Sequence, residues 1–441
     1  MKRILLSLSA AVSLSAFALP TVRTDSVTIS QNTSSRVVTV NYYLENEPGI
    51  VTVDFLTNGV SIGYANISYL SGDVNKKVET GPHSFTWRPD KSWPGHVIES
   101  ASVTAVVTAW SLTSPPDYMA LDLSGSKEHR YYPAKEAVPF GVSNSIYKTS
   151  FLLMRKIPSA NVTWWFGSPE GELGHKSNNA YYQVTLTNDI YMGVYELTQR
   201  QYEIVYGGRP SYYKNDSCYQ LRPLETLGPR TFRGKMTWPK GGHNEVTEAS
   251  PLGQFRSKTG VTSLDLPLEA YWEFACRAGR GEILYTGEVL KPSDTNRAAK
   301  VAAVDRIARY WGNSGQSTVS GQESSSTQTP DCDATTMTAE VGSYEPNNLG
   351  LYDMIGNVQE WCLDLYGTLS STIDPEVGRP KDASNLEGDN ANVRGVVRGG
   401  CFFDSTCCAD TTTSARRTVE QRKNSVRWYG YRLVCDAVAA P

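Results

Sequence analysis

The sequence predicts an α+β chain in which an all-β module precedes a larger, loop-rich domain. Residues from about 27 to 110 alternate apolar and polar positions in short runs, as half-buried strands do. From Tyr147 onward glycine, tryptophan, tyrosine and asparagine become frequent, and long amphipathic runs are few. Two segments of that later part carry helical spacing between a start and a stop signal. A chain of 441 residues can bury more than one core.

Taken in order, the N-terminus "MKRILLSLSAAVSLSAFALP" has Lys2 and Arg3, an apolar run from Ile4 to about Leu14, and a small-x-small site at Ala16-Phe17-Ala18. These features predict a secretory signal over residues 1–18, since the run is shorter than the ~20 residues a membrane span needs. Export to the periplasm, cell surface or medium follows, where disulfides are allowed. Residues 19–112 hold "VTISQNTSSRVVTVNYYLENEPGIVTVDFLTNG", "HSFTWRP" and "ASVTAVVTAW", short strands with turn signals between them. They predict a β-sandwich resembling immunoglobulin or fibronectin-like modules. Residues 113–147 read as a linker, broken by Pro115-Pro116. The loop-rich domain then runs over 148–436. Its helices are expected from Thr198, an N-cap candidate, to Gly207-Gly208, and from Pro267 to Gly279.

A formal net charge of −3 gives no basic footprint of the kind nucleic acids require. The histidines His83, His96, His129, His175 and His243 are scattered with no i, i+4 pair, which argues against a zincin-type centre. The eight cysteines are Cys218, Cys276, Cys332, Cys362, Cys401, Cys407, Cys408 and Cys435. Export predicts at least one disulfide among them, with the pairing open. No later segment is apolar enough to span a membrane. A monomer with an unknown protein or small-molecule ligand is expected.

Five stretches, "YMGVYELTQRQYEIVYGGRPS", "DLPLEAYWEFACRAG", "VGSYEPNNLGLYDMIGNVQEWCLDLYG", "VVRGG" and "YGYRLV", follow one another in this order. Together they resemble the formylglycine-generating enzyme, or sulfatase-modifying factor, family over residues 148–436. The resemblance implies a compact α+β fold related to C-type lectins, low in regular structure and often stabilised by calcium. The β-sandwich looks like an accessory module of exported bacterial members.

In "GLYDMIGNVQEWCLDLYG", Gly350 and Gly356 permit turns, and Glu360 sets a carboxylate beside loop carbonyls, the hard oxygen donors calcium prefers. By resemblance, a calcium site would use the Glu360 side chain with the carbonyls of Ile355, Gly356 and Val358. The residues equally allow Glu360 to cap the turn or to pair with an arginine such as Arg398.

The stretch "VVRGGCFFDSTCCADTTTSARRT" follows the fourth motif. The resemblance to sulfatase-activating members implies two cysteines separated by four residues, a thiolate pair for Cu(I) that activates oxygen to oxidise a substrate cysteine. Soft thiolates do select Cu(I). Here Asp404 and Ala409 occupy those two positions, so copper is not expected. Cys407 and Cys408 fall one or two residues short of the second position. Cys401 stands where the family usually has serine, and its spacing to Cys407 is off by one, enough to reverse facing along a strand. Cys276 follows a helix at the point where the family often places a disulfide, but the partner position holds Ser414. It is expected either buried and free or paired with Cys407 or Cys408. Phe402, Phe403, Asp404, Arg416 and Trp428 read as a tolerant binding surface. The reading is an exported binding or display protein that keeps the fold without the copper pair; the alternative is a divergent formylglycine-generating oxidase acting on a sulfatase cysteine.

Overall fold

The computed structural model describes residues 18–96, 102–172, 175, 181–215, 217–234, 246–288, 302–310, 313–314, 337–366, 373–374, 379–380, 394–403 and 413–438. Every second residue of Val38–Glu45 is buried, so Val38, Val40, Tyr42 and Leu44 face one side. That strand lies between Thr21–Val22 and Gly81–Trp87 in an antiparallel sheet that continues to Leu70–Gly72, with Thr28–Gln31 also paired to it. A second antiparallel sheet is organised on Gly49–Thr57, with which Val60–Ser61, Lys76–Val78 and Val103–Trp110 all pair. Both sheets contribute to one core that includes Val40, Val53, Phe55, Phe85 and Trp87. The rings of Phe55 and Trp87 stack across it at 4.2 Å.

Residues 113–147, expected as a linker, require a correction. Tyr118–Asp122 and His129–Tyr132 are strands of a five-stranded antiparallel sheet. Its order is His129–Tyr132, Tyr118–Asp122, Phe151–Ile157, Ile190–Gly193 and Val434–Asp436. Residues Tyr118 to Leu121 are buried on both faces, so they lack the alternation that marks a half-buried strand. The two prolines lie just ahead of this sheet and are tied to it through their carbonyls. Pro115 O accepts from Lys156 Nζ at 2.6 Å, and Pro116 O from the Tyr191 hydroxyl at 2.5 Å. The units are joined: Ile50 packs into the larger core, and the Tyr131 N–H donates to Asn75 O at 2.8 Å.

The first expected helix is Gln199–Val205, opened by a capping box in which the Thr198 hydroxyl accepts the Gln201 N–H and the Gln201 side chain accepts the Thr198 N–H. The second is Glu269–Arg277, two residues shorter at its start than proline placement suggested, and closed by left-handed Ala278 and Gly279. Two further helices, Pro229–Arg233 and Pro251–Thr259, were not anticipated. Each carries proline in its first turn, and Pro251–Thr259 stops at left-handed Gly260, so the start and stop signals were present in short, weakly patterned segments. A four-stranded sheet, ordered Arg417–Gln421, Arg394–Arg398, Gln359–Leu365, Tyr429–Gly430, completes the larger unit, its last pairing parallel. Among the described residues, no helix is long and apolar enough to cross a membrane.

Candidate functional site

The Gly399-Gly400 turn sits against the loop of residues 354–358. Both glycines are left-handed, and a Cβ on Gly399 would meet Met354 O at 3.0 Å and the Trp272 ring at 3.2 Å. The Gly356 N–H donates to Gly399 O at 2.8 Å, and the Phe402 N–H to Asn357 O at 2.9 Å. Beneath, the buried Glu196 carboxylate accepts the Asn357 side-chain amide at 2.6 Å and the Val358 N–H at 3.2 Å. Burial pushes the Glu196 carboxyl well above the usual carboxylate range, helped by nearby Asp353 and Glu360. The two glycine loops are thereby locked together, and the chain leaves Gly400 in a fixed direction.

Glu360 does not fit the calcium ligand set implied with Ile355, Gly356 and Val358. Its Oε1 accepts from Arg432 Nη2 at 2.7 Å and Nε at 2.9 Å, and its Oε2 accepts from Trp272 Nε1 at 2.6 Å. Both oxygens are occupied by donors deep in the core, so a cation there would have to share them with a guanidinium. The arginine alternative is the one realised, with Arg432 in place of Arg398. Arg398 instead pairs with Glu273 and, at 3.4 Å, with Glu269. Among the described residues no cluster of three or more His, Cys, Asp or Glu is placed to hold a metal.

Past the turn, aromatic rings gather. Phe402 is buried and meets Tyr213 edge-on at 5.7 Å. Phe403 stacks on Trp428 at 5.2 Å with planes 9° apart. The Arg427 guanidinium lies 5.4 Å from the Phe403 ring centre and 5.3 Å from that of Tyr212, which is 60% exposed. Glu225 holds the Tyr212 end in place by accepting the N–H groups of Tyr212 at 3.0 Å and Tyr213 at 2.9 Å. Rings and a cation held this way form a rigid surface suited to apolar and anionic groups of a ligand.

A model of the sulfatase-modifying factor enzyme 1-like domain matches residues 161–437. The chain belongs to this family. It is 28% identical over 214 residues to a protein named chaperone protein LppX from Paenibacillus barcinonensis, covering 44% of this chain and 69% of that protein. It is 27% identical over 172 residues to the formylglycine-generating enzyme of Thermomonospora curvata, covering 39% of this chain and 49% of that enzyme. The match thus spans about half the length of that enzyme. Among solved structures, Treponema denticola variable protein 1 aligns with a TM-score of 0.45 at 20% identity, covering 65% of this chain and 95% of that one.

Within this sulfatase-modifying factor domain, Asp404, Cys407, Cys408 and Ala409 lie outside the described residues. Cys276, Cys362, Cys401 and Cys435 are buried thiols. Cys218 is disulfide-bonded. Cys276 follows the buried-and-free branch of its expectation: burial pushes its thiol up to about 12, and Ser414, at the family's partner position, lies against it. Of the residues expected to form a binding surface, Phe403 and Trp428 come together half-buried, whereas Phe402 is fully buried against Tyr213 and Phe403 and so packs under the surface without lining it. Arg416 is half-buried, and among the described residues it makes no ring contact with them. Tyr212, Tyr213, Arg427 and the positioning residue Glu225 were missed. "SYY" and "VRWYG" are rich in rings, but nothing in the linear sequence ties residue 212 to residue 427.

Proposed function

We propose that this chain is an exported, non-catalytic binding protein of the sulfatase-modifying factor family, whose ligand meets Tyr212, Phe403 and Trp428 beside Arg427. One observation carries the reading. Cys401, the first thiol after the glycine pair, is 2% exposed with the Gln359 side chain 3.9 Å from its sulfur. A copper thiolate needs a side open to oxygen and substrate, and this sulfur lacks one. The likeness to a protein named as a chaperone favours a polypeptide ligand, and the exposed Tyr212 ring with the half-buried Phe403 and Trp428 rings next to a guanidinium suits a segment with apolar and acidic side chains. The N-terminal unit serves as an immunoglobulin-like accessory module, and the first 18 residues direct export.

The test is Cu(I) titration of the reduced mature protein, with oxygen uptake measured on a sulfatase-motif peptide. The expected result is no tight stoichiometric copper and no uptake, whereas Asp404→Cys combined with Ala409→Cys gains copper binding. Wild-type protein that holds one Cu(I) and loses it on Cys407→Ser or Cys408→Ser would return the chain to the oxidases.

A further inference from the structure

Two cavities flank the edge strand His129–Tyr132 on its side toward the N-terminal unit. One, of about 320 Å³, is lined mainly by aromatic and aliphatic side chains, among them Tyr69, Tyr132, Phe140 and Phe151. The other, of about 330 Å³, is lined by Lys76, Lys77, Lys127 and Arg130. Glu128 and Arg130 line both and pair with each other at 2.7 Å. The apolar cavity thus opens beside a cationic one, across a single ion pair.

The apolar cavity has unusual lips. Tyr69 and Phe140 have φ of 58° and 65°, the left-handed region that bulky residues avoid. They are 47% and 56% exposed, and their rings meet edge-on at 5.9 Å. Glycine would suit both backbones, and neither ring fills a core. Large side chains held in such a conformation at a cavity mouth point to a role in the cavity, because backbone strain of this kind gathers at ligand sites. On the cationic side, Lys76 is engaged by Asp73 at 3.0 Å and Lys77 by Glu79 at 3.9 Å. Lys127 makes no ion pair among the described residues, and Arg130 shares its charge with the largely exposed Glu128. A volume near 300 Å³ between two units, apolar with a few convergent charges, has the form of a small-molecule site.

We propose that this cleft binds a small anionic amphiphile, seating a ring-sized apolar group against Tyr69, Phe140 and Phe151 and turning its carboxylate or phosphate to Arg130 and Lys127. The site is separate from the aromatic surface beyond Gly400 and does not depend on the function proposed for it.

Calorimetric titration of the full mature chain with phenyl phosphate tests this, with phenol and inorganic phosphate as its two halves and phenylacetate to separate carboxylate from phosphate. Phenyl phosphate or phenylacetate should bind at least about tenfold tighter than either half. Phe140→Gly should weaken that binding about tenfold or more while leaving Tm unchanged or raised, because glycine relieves the left-handed backbone. Lys127→Gln should weaken the anionic probe and leave phenol alone. The proposal is overturned if inorganic phosphate binds as well as both probes, if Phe140→Gly binds like the wild type, or if Phe140→Gly melts several degrees lower, which would make the ring part of the packing.

Discussion

Replacing Glu360 by Gln tests whether the carboxylate of the third motif anchors the core or a metal. In the fold it is nearly inaccessible, and it receives the Arg432 fork together with the Trp272 indole N–H. Glutamine keeps the shape and one acceptor oxygen but removes the charge and puts an NH2 donor in place of the other oxygen, leaving the buried Arg432 guanidinium with neutral acceptors, that oxygen and the Gly193 and Tyr352 carbonyls, where it had a carboxylate. Breaking a buried ion pair from one side costs about 3–5 kcal/mol. Against a total stability of roughly 5–15 kcal/mol, that is a large fraction. Urea unfolding of both proteins, each with added calcium and with a chelator, gives the answer. The expected outcome is a much lower midpoint for the variant with an unchanged slope, by the same amount in both conditions. Adding Arg432→Met should recover part of the loss, since the unpaired charge is then gone. A wild type that weakens on chelation, together with a variant that no longer responds, would refute the core-anchor reasoning and put a cation at Glu360.

Two further outcomes follow from local geometry. Thr198→Ala removes the hydroxyl half of the capping box and should cost about 1 kcal/mol in denaturant unfolding, whereas Thr198→Ser should cost much less. Burial, reinforced by Glu269, pushes the Asp364 carboxyl up to about 7, well above the ordinary aspartate value. A group whose pKa is higher folded than unfolded contributes its full stability below about pH 4 and loses it as pH rises through about 7. Calorimetric melting between pH 8 and 5.5 should therefore show the wild type gaining stability on acidification relative to Asp364→Asn, whose amide oxygen can still accept the Glu269 N–H; parallel curves would sink the assignment.

The parts of the fold that were legible in the sequence are those whose signals are local. Thr198 and Gln201 three residues apart mark a helix start, and the alternation of Val38 to Leu44 marks a strand with one wet face. Tyr118 to Leu121 escaped because a strand covered on both sides carries no periodicity, and the adjacent prolines weighed more than the apolar run. In the site, Phe402 and Phe403 were found through the motif that precedes them, and Trp428 stands just ahead of the last motif. Their partners Tyr212 and Arg427 are brought up by tertiary packing alone, and Glu225 acts through backbone N–H groups, which leave no trace in side-chain patterning. The choice of Arg432 over Arg398 for Glu360 is likewise a matter of which arginine the folded chain delivers to that depth.

The strand Val434–Asp436 completes its sheet by pairing with Ile190–Gly193, and just before it Arg432 reaches the Gly193 carbonyl from 239 positions away. A junction that distant must close a large loop of chain before any of its contacts form, which slows the search for the native arrangement. The central acid of the third motif also waits for the same arrival, since among the described residues the ion pair of Glu360 is with Arg432. The larger unit therefore cannot lock while its final strand is still being synthesised. One late event, the arrival of Val434–Asp436 with Arg432 just before it, closes the sheet and neutralises the buried Glu360 together.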